Sequence, residues 1–264
     1  MDLGLKGKTA LVVAASKGLG KATALRLAKE GASVHIVSRN EQALKQTRDE
    51  ITKESGSDLV AYSVCDITDA QDIIRAVEAA KLHTGSVDIL VNNAGGPPAG
   101  KLMDFADEDW QQAFELNLLS FVRFIRAAAP IMKENGGGHI LNIASSSIKQ
   151  SIDNLLLSNT FRAGIVGLAK SLSQELAPDN ILINTLGPGK IHTDRVDQLD
   201  QKTADQLGKS LEDVQQQSQA TIPMGRYGTP EEFANMAVFL CSSANSYITG
   251  QAFVVDGGMV KSIG

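Results

Sequence analysis

TALVVAASKGLGKATALRLAKEG, residues Thr9 to Gly31, is the stretch from which the fold is read. Thr9 to Val13 is an apolar run without polar alternation, the pattern of a strand buried on both faces. Small residues follow at Ala14 and Ala15, then Gly18 and Gly20. From Leu19 the period changes. Leu19, Ala22, Leu25, Leu27 and Ala28 mark one broad apolar side of a helix that Gly31 ends. Strand, glycine turn and helix together present unpaired backbone N–H groups and a positive dipole end, the arrangement that receives a phosphate.

The glycine pattern has two glycines and an alanine where a dinucleotide fingerprint has three glycines. The next strand, Ser33 to Val37, adds to it. An acid near the end of that strand usually holds a free ribose hydroxyl. Here the end reads Ser38-Arg39-Asn40. A cation and a hydroxyl in place of the acid, with Lys17 in the loop, suit a 2′-phosphate held by charge-assisted bonds. This pattern favours NADP(H), with NAD(H) as the second possibility; the alternative is that Lys17 and Arg39 are solvated surface cations.

Further strands are expected at Leu59–Val64, Val87–Val91, His139–Ile143, Ile181–Leu186 and Phe253–Val255, separated by helical segments. A polar helix spans roughly Asn40 to Ser55, and Thr68 with Gln71 reads as a capping box for the helix that runs to Leu82. A long helical stretch runs from about Asp107 towards Lys133, where Pro130 is expected to bend or end it. Thr229-Pro230-Glu231-Glu232 is another helix start. Regular alternation predicts one α/β domain over residues 1–264, a doubly wound, mostly parallel seven-stranded sheet with helices on both faces. Asn92-Asn93-Ala94-Gly95-Gly96-Pro97-Pro98 closes one strand, and ligands bind at such carboxyl ends.

A hydrophobic share of 43% is enough to bury a large core, and net charge −5 without a basic cluster argues against a nucleic-acid surface. Cys65 and Cys241 have no metal-ligand spacing and read as small buried residues of a reducing compartment. His35, His83, His139 and His192 form no metal set either. The amino terminus lacks an apolar signal core and no run approaches membrane-spanning length, so the expectation is a soluble, cytoplasmic protein without metal or membrane partner.

These motifs resemble the short-chain dehydrogenase/reductase family of the classical type, over essentially the whole chain. AASKGLG (Ala14 to Gly20) matches its glycine loop, with Ala14 at the first glycine. NNAG (Asn92 to Gly95) and PGKIHT (Pro188 to Thr193) match its ribose and nicotinamide motifs. IPMGRYGTPEEFA and ITGQAFVVDGGM resemble the closing segments of bacterial 3-oxoacyl-carrier-protein reductases. The resemblance implies a Rossmann-type fold, a carbonyl or acyl-thioester substrate, and a homotetramer or homodimer. It implies a cofactor held by Ala14, Ser16, Lys17, Gly18, Leu19 and Gly20, then by Ser38, Arg39, Asp66 and Ile67. Asn93, Ala94, Gly95 and Arg162, with Pro188, Gly189, Ile191 and Thr193, complete the implied set. Asn117, in Glu-Leu-Asn-Leu, matches the asparagine that holds a proton-relay water. At Ala14 the expectation is a negative φ that tolerates the methyl group.

The catalytic core departs from the family. Its serine matches Ser145, but the tyrosine expected thirteen residues on is Ser158, and the lysine four beyond that is Arg162. Arg162-Ala163-Gly164 and IVGLAKSL keep the frame, and Tyr62, Tyr227 and Tyr247 lie elsewhere in sequence. A phenol of pKa ~10 can be tuned towards neutrality by a cation, whereas an aliphatic hydroxyl resembles water at roughly 15.7. That gap of about 5–6 units, about 7–8 kcal/mol, exceeds what one arginine recovers. The expected catalytic set is therefore Asn117, Ser145, Ser158 and Arg162, with the serines positioning the substrate oxygen and the proton arriving from solvent by way of Asn117. Lys149 is a second proton-donor candidate, against its reading as a solvated loop residue. Three functions stay open: an NADP(H)-dependent oxidoreductase with an atypical site, an impaired NADP(H)-binding protein that senses or scaffolds, or a different reaction such as a lyase or isomerase in the same pocket.

Residues 194–221 are polar with sparse leucines and read as a substrate lid of one or two short helices, or as a flap against a neighbouring subunit. Leu155, Leu156, Leu157 and Phe161 read as a pocket wall or as core.

Overall fold

The structure is a computed structural model and describes residues 2–263. Seven strands form one sheet: β1 Thr9–Val13, β2 Ser33–Ser38, β3 Val60–Val64, β4 Ile89–Asn92, β5 Gly138–Ile143, β6 Ile181–Pro188 and β7 Ala252–Val255. Their order is β3-β2-β1-β4-β5-β6-β7, and every neighbouring pair is parallel. The helices are α1 Gly18–Lys29, α2 Glu41–Ser55, α3 Ala70–Thr84, α4 Asp107–Phe114 and α5 Ser120–Glu134. After them come α6 Leu156–Leu176, α7 Asp194–Leu207, α8 Leu211–Ala220 and α9 Pro230–Leu240.

Two cores explain why the strands lack polar alternation. Ala10 and Val12 of β1 join one core with Leu27 of α1, Leu44 of α2 and Phe233 of α9. Leu11 and Val13 point the other way, into a core with Ile73 of α3, Phe124 of α5 and Ile165 of α6. A sheet covered on both faces leaves no solvent side for polar residues. The strand order reverses between β1 and β4, so the carboxyl ends of these two strands open a crevice at the switch point.

Three local expectations are corrected. The cap of α3 is Asp69, whose carboxylate accepts from the N–H groups of Gln71 and Asp72; Thr68 instead donates its N–H and hydroxyl to Asp66. An aspartate outcompetes a hydroxyl for two backbone donors because it brings charge to the helix start. Pro130 lies inside α5, which continues to Glu134. Phe124, Ala128 and Met132 bury one side of that helix and hold it across the missing N–H. The interruption comes earlier, as a π-turn at Glu115–Leu119 between α4 and α5. Ala14 has φ +50°, not the negative value expected, a conformation that strains an L-residue.

Burial also sets an acid-side limit on stability. His35 is buried in β2, with Nε2 2.8 Å from Ser63 Oγ and its ring near His83, and its Nδ1 has no partner. Desolvation, with His83 second, lowers its pKa from 6.5 to about 4. The folded form thus resists a proton that the unfolded chain accepts, and stability is lost as pH falls from 6.5 towards 4. The full loss is about 3 kcal/mol. Urea midpoints at pH 7 and pH 5 should fall more steeply in the parent than in His35→Gln; equal falls would assign the acid sensitivity to other groups.

Candidate active site

The main cavity, about 530 Å³, lies at the carboxyl ends of the central strands. One end begins at the start of α1. Lys17 precedes that helix with extended backbone and no side-chain cap, and no acid occupies the first turn. The first helical N–H groups are therefore left for an anion. Ser38, at the end of β2, lines the cavity with a buried Oγ that has no partner. Lys17, Arg39 and Asn40 line the same end, and neither cation forms an ion pair among the described residues. Asp66 lines it too; its pKa is lowered chiefly by bonds from Thr68, with Arg39 contributing through charge.

Gly20 lies behind this wall rather than on it. A Cβ there would meet the Ala14 carbonyl oxygen at 2.7 Å and the Asn93 amide at 2.9 Å. A glycine at this position allows close packing of helix on strand. The positive φ of Ala14 turns its carbonyl oxygen into this junction, where Asn93 Nδ2 also donates to it at 3.2 Å.

At the other end stand Ser145, Ser158 and Arg162. Ser145 follows β5 and caps a short 3-10 turn, its Oγ accepting from Ser147 N at 3.2 Å. Ser158 lies in the first turn of α6 and Arg162 one turn further, on the same face, so all three line one cavity. Arg162 is 4% exposed. It donates to the carbonyls of Ile143 at 3.0 Å and Ala94 at 3.3 Å, has no carboxylate partner, and its Nε has none at all. Burial lowers its pKa to about 10, so it remains a cation at neutral pH. It clamps two strand ends and holds a positive charge against the serines.

Asn117 sits in the π-turn, fully buried, behind the cavity wall rather than on it. Its Nδ2 donates to Gly95 O at 2.7 Å and its Oδ1 is unpartnered. Lys149 does not line the cavity, which favours its reading as a loop residue. Among the flanking apolar residues only Leu155 faces the cavity; Leu157 is core, and Phe161 packs on Trp110 and Phe114. Pro188, the last residue of β6, and Gly189, Ile191 and Thr193 after it line the cavity, and Thr193 lies against Gly18.

Residues 194–221 fold largely as α7 and α8, and Arg195, Val196 and Leu199 of α7 reach the cavity. The base of α7 is pinned by Asp200, 2% exposed, which binds Lys190 at 3.1 Å and the Tyr227 hydroxyl at 2.7 Å. His192 pairs with Asp197 at 3.2 Å and leans on Tyr227, a loop role rather than a metal one. No group of three or more potential metal ligands occurs among the described residues. No helix there is long and apolar enough to cross a membrane. Cys65, Gly96, Pro97 and Leu116 also line the cavity. Gly96 and Pro97 belong to the turn cluster after β4, while Cys65 and Leu116 carry no sequence signal for a site beyond adjacency to Asp66 and Asn117.

Comparison with known proteins follows this geometry. Residues 13–260 match the family described as Enoyl-(Acyl carrier protein) reductase. The chain is 35% identical over 264 residues to 7alpha-hydroxysteroid dehydrogenase of Escherichia coli (strain K12), covering 99% of this chain and 98% of that protein. It is 34% identical over 261 residues to 3-oxoacyl-[acyl-carrier-protein] reductase FabG of Aquifex aeolicus (strain VF5), covering 98% and 100%. L-sorbose reductase from Gluconobacter frateurii, solved with NADPH and L-sorbose, superposes with a TM-score of 0.95 at 34% identity over the whole of both chains. With the parallel sheet, the switch-point cavity and these matches taken together, the chain belongs to the short-chain dehydrogenase/reductase family of NAD(P)-linked oxidoreductases.

Proposed function

We propose that this protein is an NADP(H)-dependent oxidoreductase for a carbonyl/alcohol pair, similar to 3-oxoacyl-thioester reductases, working through an atypical Ser145, Ser158 and Arg162 site. The observation that carries this reading is a single cavity with a cationic, helix-capped phosphate end and a serine–arginine end. The phosphate end fits a phosphorylated nucleotide: Ser38 Oγ lacks a partner, and Lys17 and Arg39 lack carboxylates. Structural relatives solved with NADPH support the same cofactor, and one solved with NADH keeps NAD(H) as the alternative.

When bound, the nicotinamide supplies or takes the hydride. The chain's own residues do the rest. The two serine hydroxyls hold the substrate oxygen by hydrogen bonds, and the Arg162 charge stabilises the negative charge that develops on that oxygen. Ser158 donates poorly, so the proton comes from solvent, with the unpartnered Asn117 Oδ1 as an acceptor along the route. Residues 194–221 act as the lid. The cytoplasm and a homo-oligomer are the expected setting.

NADPH should be consumed with at least one ketone, quinone or β-ketoacyl thioester of a panel. Replacing Arg39 by alanine should weaken NADPH about 10-fold and leave NADH unchanged. Tight NADPH binding with no consumption across the panel would favour the sensor or scaffold reading, to which the weak acid Ser158 already points. Lack of affinity for both nucleotides would overturn both.

A further inference from the structure

The charge lining the cavity does not match that of the chain. Acids outnumber basic residues in the sequence, 30 against 25. The cavity reverses the balance, with Lys17, Arg39, Arg162 and Arg195 facing only Asp66 and Asp194. The first two cations belong to the phosphate end. Arg162 and Arg195 remain, at the end where the reaction takes place.

Arg195 occupies the first turn of α7, and its guanidinium lies 3.8 Å from the position a Cβ would take on Gly96. Gly96 adjoins Gly95, whose carbonyl Asn117 holds. Among the described residues no hydrogen bond or ion pair engages the exposed Arg195 guanidinium, and none joins it to Asp194 beside it, whereas Asp197 and Asp200 of the same helix are committed to His192, Lys190 and Tyr227. The same cavity is also lined by the apolar Pro97, Leu116, Leu155, Val196 and Leu199, with Thr193 and Asp194 as polar neighbours of Arg195 in sequence. Deeper in, the buried Arg162 has no carboxylate partner and an unpartnered Nε. A guanidinium over an apolar channel selects a ligand with an apolar body and an anionic end.

We infer that the substrate is an oxo-acid or a phosphorylated ketone, its anionic group held by Arg195 beneath α7 and its carbonyl directed towards Ser145 and Ser158. This rests on the oxidoreductase reading and narrows its substrate class. Arg195 is then a specificity-determining residue whose partner is the substrate anion; the rival assignment is the pyrophosphate of the dinucleotide.

Calorimetry on the protein with NADP+, where no reduction takes place, separates these. The probes are 4-oxopentanoate, 5-oxohexanoate and 6-oxoheptanoate, each against its methyl ester, and dihydroxyacetone phosphate against dihydroxyacetone. At least one anionic probe should bind about 10- to 100-fold more tightly than its neutral counterpart. The ratio should fall towards one in Arg195→Gln and recover in part in Arg195→Lys, with NADP+ affinity unchanged. Equal binding of every pair in the parent protein overturns the inference and leaves the oxidoreductase reading standing. A 10-fold loss of NADP+ affinity in Arg195→Gln before any probe is added also overturns it, assigning Arg195 to the pyrophosphate. If the parent binds no NADP+, the cofactor reading falls in the first titration. The anion-to-neutral ratio is then measured on the protein alone, where a ratio of one overturns the inference.

Discussion

Ser158→Tyr combined with Arg162→Lys raises the rate of NADPH oxidation by about 10²–10⁴-fold, the range a positioned general acid supplies. The reason is proton affinity. Reducing a carbonyl leaves an alkoxide, and Ser158 is as reluctant as water to give up its proton, whereas a phenol beside a cation sits several units lower. The frame is ready for the exchange: position 158 lines the cavity and position 162 follows one helical turn later on the same face. The single change Ser158→Tyr should recover less, because Arg162 supplies the charge but its N–H groups are committed to the carbonyls of Ile143 and Ala94 and cannot take over the hydrogen bonds of a lysine. Initial rates with the best ketone of the panel, and their pH profile, measure this. A pH optimum that moves to follow the new phenol would identify it as the acid. Unchanged turnover with NADPH still bound would show that proton delivery in this protein does not pass through position 158.

The second large effect is expected at a residue without a side chain. In Gly187→Ala the new Cβ would lie 2.4 Å from the Ser145 carbonyl oxygen and 2.7 Å from its carbonyl carbon, with Ile148 Cδ1 at 3.1 Å. Two of those three atoms are backbone, so a rotamer change cannot relieve the overlap. The end of β5 must move away from β6, at a cost of about 1–3 kcal/mol, and Ser145 moves with it. Displacement of a reacting group by about 1 Å is enough to reduce turnover about 10²-fold. Thermal unfolding and NADPH oxidation should both drop, while nucleotide binding at Lys17 and Arg39 changes little. Wild-type turnover in this variant would remove Ser145 from the reaction.

Much of the architecture is written in local pattern. Continuous apolar strands, helical periodicity from Leu19 and the turn cluster after Asn92 specify a parallel sheet with two covered faces, because only burial on both sides removes polar alternation. Chemical type also travels in the sequence: Ser158 and Arg162, four apart in a helix, must share a face wherever that helix packs. Direction and partnership do not. That Arg162 faces carbonyls rather than a carboxylate, that Ala14 takes a left-handed turn and that Gly20 abuts the Asn93 amide depend on residues far away in the chain. The same holds for Asn117, set behind the wall by a π-turn that no periodicity announces, and for Arg195, one polar residue among many until α7 sets it over Gly96. Periodicity reports which side of an element is buried; only the packing of elements against one another decides which polar atoms are left without partners, and Ser38 Oγ and Arg162 Nε, both on residues that line the cavity, are among them.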